Sequence, residues 1–188
     1  MDAVAQVQLV VRLTLGLIFF ISAVAKLCDP AAFARSVVDY RVLPGPTALA
    51  YGWVLPFVEL GTALLFLTGV FPPIAAGLAA LMLTSFMIAT TVMVAQGRKP
   101  GCHCLGTASD DDVTAWYVLA RELLLLVPTL WLAFTEDLAY FVPLTWNTTG
   151  IFSFTFAALL SLTYIALIEA AKMIVRLSKR PQQYHGLH

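Results

Sequence analysis

Apolar residues run through this chain in long blocks, and glycines, prolines and a few charges divide them. Between Leu60 and Gly97 there is no charged side chain. Gly69 and the Pro72-Pro73 pair split that stretch, since neither residue type continues a helix comfortably. A membrane-crossing helix needs roughly 20 mostly apolar residues. Five segments meet that requirement, at about 7–27, 47–68, 74–96, 115–134 and 151–175. Hydrocarbon offers the backbone no hydrogen-bond partners, so each segment must pair its own amides as a helix. The pattern therefore predicts an all-α, polytopic membrane helix bundle with about five transmembrane helices. It forms a single transmembrane domain over residues 1–188, with a loop at 97–113 and a basic C-terminal tail at 176–188.

The stretch from Asp29 to Pro46 has a different texture. Ala31, Phe33, Ala34, Val37, Val38 and Val42 fall near helical spacing, with Arg35, Asp39 and Arg41 between them. Asp29-Pro30 is a helix start and Pro44-Gly45-Pro46 a stop, so a short amphipathic surface helix is expected here. A plain connecting turn fits the pattern as well.

Composition sharpens the membrane reading. Of 188 residues, 60% are hydrophobic and only 12% charged, against about 25% charged in ordinary soluble domains. Eleven basic residues balance eleven acidic ones, so no polycationic face exists to hold nucleic acid. Three cysteines are too few for a disulfide-stapled scaffold. Leu13 to Ile21 followed by Ala23-Val24-Ala25 has the shape of a secretory signal. Asp2, and Arg12 as the sole cation ahead of that run, argue instead for a retained first span.

With five spans, the 29–46 segment, the 97–113 loop and the C-terminus share one side of the membrane. That side carries Lys26, Arg35, Arg41, Arg98, Lys99, Lys172, Arg176, Lys179 and Arg180, while the other carries Arg12, Glu136 and Asp137. The distribution of Lys and Arg makes the first side cytoplasmic.

Chemistry concentrates in Gly97-Arg98-Lys99-Pro100-Gly101-Cys102-His103-Cys104-Leu105-Gly106. Glycines and a proline make this a turn at the mouth of the bundle. A Cys-x-Cys pair can close a small strained disulfide, and strain moves a disulfide toward the exchanging class. Arg98, Lys99 and His103 are near cations that favour a reactive thiolate. Cys102 and Cys104, tuned by His103, are thus candidates for thiol–disulfide exchange. Two other readings stay open: soft-metal capture by the same three side chains, and a structural disulfide, although so short a loop gains little entropy from closure. Cys28 is either a small buried apolar group or a resolving thiol on the same side as the pair.

Several charged residues fall within the spans. Glu59, after Pro56, sits near the middle of the second, where an unpaired carboxylate costs a few kcal/mol. Arg12 and Arg121 are its expected partners, with Lys26 closer to an interface. Arg12 and Lys26 are fourteen residues apart, or about 40° in azimuth, so they can mark two ends of one inward stripe. Arg121 and Glu122 are neighbours and should point apart. The network is either a packing device or part of a proton or quinone pathway. Trp53, Trp116, Trp131 and Trp146 lie near span ends, as interface anchors do.

Several motifs together resemble a known family. Arg12-Leu13, Gly16-Leu17-Ile18-Phe19-Phe20, Ala25-Lys26-Leu27 and Asp29-Pro30 are similar to the opening of the MauE group. These are methylamine-utilisation membrane proteins within the DoxX/DoxD-like superfamily. Tyr40-Arg41-Val42-Leu43-Pro44, Leu55-Pro56-Phe57-Val58-Glu59 and Cys102-His103-Cys104-Leu105-Gly106 follow in the same order, and the resemblance covers about 12–134. Leu105 replaces a frequent aromatic, and Cys28 is a thiol outside the family pattern. The resemblance implies a bacterial plasma (inner) membrane protein that works with a thioredoxin-like partner in forming disulfides of an exported enzyme. It also implies a Cys-x-Cys loop on the outer face, opposite to the charge count. The alternative is an accessory subunit packed among the subunits of a larger membrane complex. DoxD relatives add quinone-linked oxidoreduction, but no dedicated quinone site is legible in the sequence.

Overall fold

The computed structural model describes residues 3–97, 115–134 and 148–179. They form six α-helices: α1 (Ala3–Cys28), α2 (Pro30–Asp39), α3 (Gly45–Thr68), α4 (Pro72–Ala95), α5 (Ala115–Phe134) and α6 (Thr148–Lys179). Four of them, α1, α3, α4 and α6 over Thr148–Ala171, are long and apolar enough to cross a membrane. Helix α5 has the bounds expected of the fourth span. The chain is an all-α helix bundle that passes the membrane several times.

Local chemistry sets the boundaries. Asp29 stops α1 because the following proline disfavours helical backbone at its own position. Its carboxylate then accepts the Ala32 N–H at 2.9 Å and Pro30 occupies the first turn of α2, where a missing N–H is harmless. Gly69 closes α3 in the left-handed region (φ 73°) and donates its N–H to the Leu65 carbonyl at 3.0 Å. Phe71, also left-handed (φ 48°), leads into Pro72 and Pro73 at the start of α4.

Helices α1 and α3 run antiparallel. Arg12 near the start of α1 lies against Gly69 at the end of α3, and Lys26 in the last turn of α1 meets Glu59. Helix α6 packs on α1, and α5 on α4. The core centres on Leu15, Phe19, Leu55, Phe66, Met82, Leu83 and Leu132, with Ala63, Ala75, Ala76 and Ala79 letting backbones approach. Because α3 and α4 are joined by a short turn at the Arg12 end, α4 ends and α5 begins at the opposite, Lys26 end.

Helix α2 is amphipathic, as expected, but it is more than a surface helix. Phe33, Ala34 and Ser36 are buried while Arg35 and Asp39 stay exposed. The buried face lies on the N-terminal part of α3, which extends beyond the end of α1. Val42 falls after the helix and is exposed.

Candidate functional site

The charged residues gather around the Lys26 end of the bundle. Lys26 Nζ donates to Glu59 Oε2 at 2.5 Å and to Ser22 Oγ, one turn earlier on α1, at 2.8 Å. Its remaining surface faces aromatic rings: the nitrogen lies 5.4 Å from the Phe33 ring centroid and 5.5 Å from that of Phe86. A desolvated cation over an aromatic face gains about 2 kcal/mol. Lys26 is 2% exposed and Glu59 4%. A small cavity of about 50 Å³ adjoins the pair, lined also by Arg121, Glu122 and Tyr164. That volume holds a few waters, since one water needs roughly 10–15 Å³ of probe space.

Three expectations about these charges change. Glu59 pairs with Lys26 and not with Arg12 or Arg121. Lys26 is near the end of α1, but α2 folds over it and Phe33 roofs the ammonium, so a position expected at an interface is interior. Arg121 and Glu122 are ion-paired. Neighbours on a helix diverge by about 100°, and here the long arginine side chain bends across that offset. Glu122 thus joins the cluster, a residue set aside in the sequence on direction alone.

Arg12 is buried (1% exposed) on the α1 face that packs against α3, as is Lys26, so the inward stripe holds. The two cations serve different ends of it. Arg12 packs against the α3–α4 turn, where a Cβ on Gly69 would lie 2.5 Å from its Nη1. Glycine at 69 therefore meets two demands, a positive φ and room for the guanidinium.

Cys28 is a free, exposed cysteine at the last residue of α1, so it is not a small buried apolar group. Cys102, His103 and Cys104 lie outside the described residues. The soft-metal reading depends on those three; among the described residues no group of three or more His, Cys, Asp or Glu is placed to hold a metal.

Fold and site together define a class: a multi-pass membrane helix bundle with an interior charge cluster beneath one end, where an exposed thiol also lies. The chain belongs to the family described as "Methylamine utilisation protein MauE", whose model matches residues 4–135. It is 32% identical over 154 residues to the methylamine utilization protein MauE of Paracoccus denitrificans, covering 81% of this chain and 82% of that one. The protein of the same name from Methylophilus methylotrophus is 28% identical over 128 residues, 68% of this chain and 67% of its own length. No solved structure matches the chain.

Proposed function

We propose that this protein is an accessory factor of methylamine utilisation, held in the bacterial inner membrane, whose Cys102/Cys104 pair exchanges thiol–disulfide electrons with a thioredoxin-like partner on the outer face. One thiolate attacks the partner's disulfide, and the displaced partner sulfur leaves as thiolate. The second cysteine then attacks the first, closing the Cys102–Cys104 disulfide and releasing the partner as a dithiol. Two electrons pass to the partner; the reverse sequence oxidises it, which is the direction that assists maturation of an exported enzyme. His103, Arg98 and Lys99 favour the thiolate.

The observation that carries this reading is the exposed thiol of Cys28 at the end of the bundle where α4 stops and α5 starts. The 98–114 segment joins those two helix ends, which supports a shared membrane side for Cys28 and the pair, as a resolving thiol requires. The methylamine setting follows from the names of the relatives.

Cys28→Ala/Cys104→Ala leaves Cys102 able to attack but removes both thiols that could resolve the product. In cells expressing it, non-reducing electrophoresis is expected to show a mixed disulfide with a redox partner. That species should vanish on reduction and in Cys102→Ala/Cys104→Ala. Its absence in both oxidised and reduced cells refutes the exchange reading. Orientation is checked separately, with a membrane-impermeant alkylating reagent on intact cells. Cys102 and Cys104 should label only after prior reduction; labelling that needs a permeabilised membrane and no reductant would put the loop in the cytoplasm, as the charge distribution has it.

A further inference from the structure

A second cavity, about 220 Å³, lies beyond the charge cluster at the same end of the bundle, between α2, α3 and α4. Four aromatic rings contribute to its wall, those of Phe33, Tyr40, Tyr51 and Phe86, with Ala48 and Ala89 as small residues that leave the space open. An apolar void of about 150 Å³ already accommodates a benzene ring, so this one takes a substituted single ring. Aromatic walls favour an aromatic occupant through offset and edge-to-face contacts.

Besides Ser36, whose hydroxyl donates to the Phe33 carbonyl, and Tyr40, the wall carries the Tyr51–Ser85 pair, and that pair has a defined sense. Ser85 Oγ lies 2.7 Å from the Met82 carbonyl oxygen, which can only accept, so the serine's single proton is committed there. Tyr51 Oη lies 2.8 Å from Ser85 Oγ and must therefore be the donor in that pair. Both protons are used, and what the Tyr51 oxygen has left is acceptor capacity. A ligand matching this wall brings a hydroxyl donor. A quinone carbonyl brings a second acceptor to the same place and gains nothing from it.

We propose that the cavity under α2 is a binding site for a membrane-soluble, single-ring aromatic carrying a hydroxyl, a phenol or hydroquinone head, with Tyr51 accepting its proton. Phe33 and Phe86 form a wall shared with the Lys26–Glu59 pair, so the site touches the charge cluster without using it. Binding here involves no thiol, and it stands or falls apart from the electron-exchange reading.

The test uses the full chain in phosphatidylcholine nanodiscs, with para-fluorophenol and its methyl ether para-fluoroanisole as probes. Fluorine NMR line broadening and shift are measured against empty nanodiscs, which removes simple partitioning. The phenol should bind saturably and ~tenfold more tightly than the ether, the scale of one hydrogen bond in a dry site. Tyr51→Phe should erase that preference while keeping weak binding of both probes. Ala89→Phe should fill the space and abolish both. Equal binding of phenol and ether, an undiminished preference in Tyr51→Phe, or no saturable signal above empty nanodiscs overturns the proposal. So does a co-purifying phospholipid that holds the cavity against both probes.

Discussion

Glu59→Ala is expected to cost about 3–5 kcal/mol of unfolding free energy, the range for removing one partner of a buried ion pair. The size follows from what remains. Lys26 would keep its ammonium at 2% exposure, under Phe33 and Phe86, with the Ser22 hydroxyl as its hydrogen-bond partner once the carboxylate is lost. The rings attract the cation but cannot replace a full charge. The adjoining 50 Å³ cavity admits water and softens the loss, which keeps the figure inside that range. Glu59→Gln retains an acceptor and should cost less than the alanine. Lys26→Met/Glu59→Met removes both charges at similar volume and should come close to the native protein, because replacing a whole buried pair by apolar side chains is often neutral. Unfolding in mixed detergent micelles, followed by helix ellipticity, measures all four proteins. An alanine variant within 1 kcal/mol of native would mean that the pair is hydrated and not interior.

The second large effect concerns packing. Gly52 on α3 lies under α2 so closely that a Cβ at that position would sit 2.7 Å from the Ala34 Cα and 3.3 Å from its carbonyl oxygen. Those are backbone atoms, which no rotamer change moves away. Overpacking costs about 1–3 kcal/mol, against a gain of about 1 kcal/mol when glycine in a helix becomes alanine. Gly52→Ala should therefore be net destabilising by about 1 kcal/mol, and Gly52→Leu by several times that, with α2 displaced. Gly61 is the internal control. It is on the same helix, and a Cβ there meets nothing within 4 Å, so Gly61→Ala should be stabilising. If both alanine variants shift stability in the same direction in that micelle assay, the close approach of α2 and α3 is wrong. Displacing α2 also lifts Phe33 from the ammonium and deforms the cavity behind it, so Gly52→Leu should lose the fluorophenol signal as well.

The two effects meet in one place because α2 is a roof. Its Ala34 seats it on Gly52 and its neighbour Phe33 closes over Lys26. What lies beneath is a buried charge pair beside two cavities, a small one bordered by Arg121 and Glu122 and a larger one walled by aromatic rings.

The long helices were legible from the sequence because apolar runs of sufficient length have one solution in hydrocarbon: a backbone that pairs with itself. Asp29-Pro30, Gly69 and Pro72-Pro73 set boundaries through φ restrictions and capping, which act within a few residues and so are visible in order along the chain. The Arg12–Lys26 stripe was legible for the same reason, since fourteen residues on one helix fix an azimuth. Partner choice was not. Whether Glu59 meets Arg12, Arg121 or Lys26 depends on how far α3 slides along α1, and that register rests on close contacts such as Gly16 of α1 on Phe66 and Leu67 of α3, between distant parts of the chain. The burial of Lys26 was hidden likewise, because a lysine two residues from a helix end is an interface residue until another helix covers it. Arg121 and Glu122 show the limit of directional rules, as a long side chain crosses an angle that the backbone positions keep open. Sequence alone determined the long apolar helices and which face of α1 turns inward; only the tertiary structure decided the ion-pair partners, the role of α2 and the cavities beneath it, because those depend on contacts between surfaces that sequence order does not bring together.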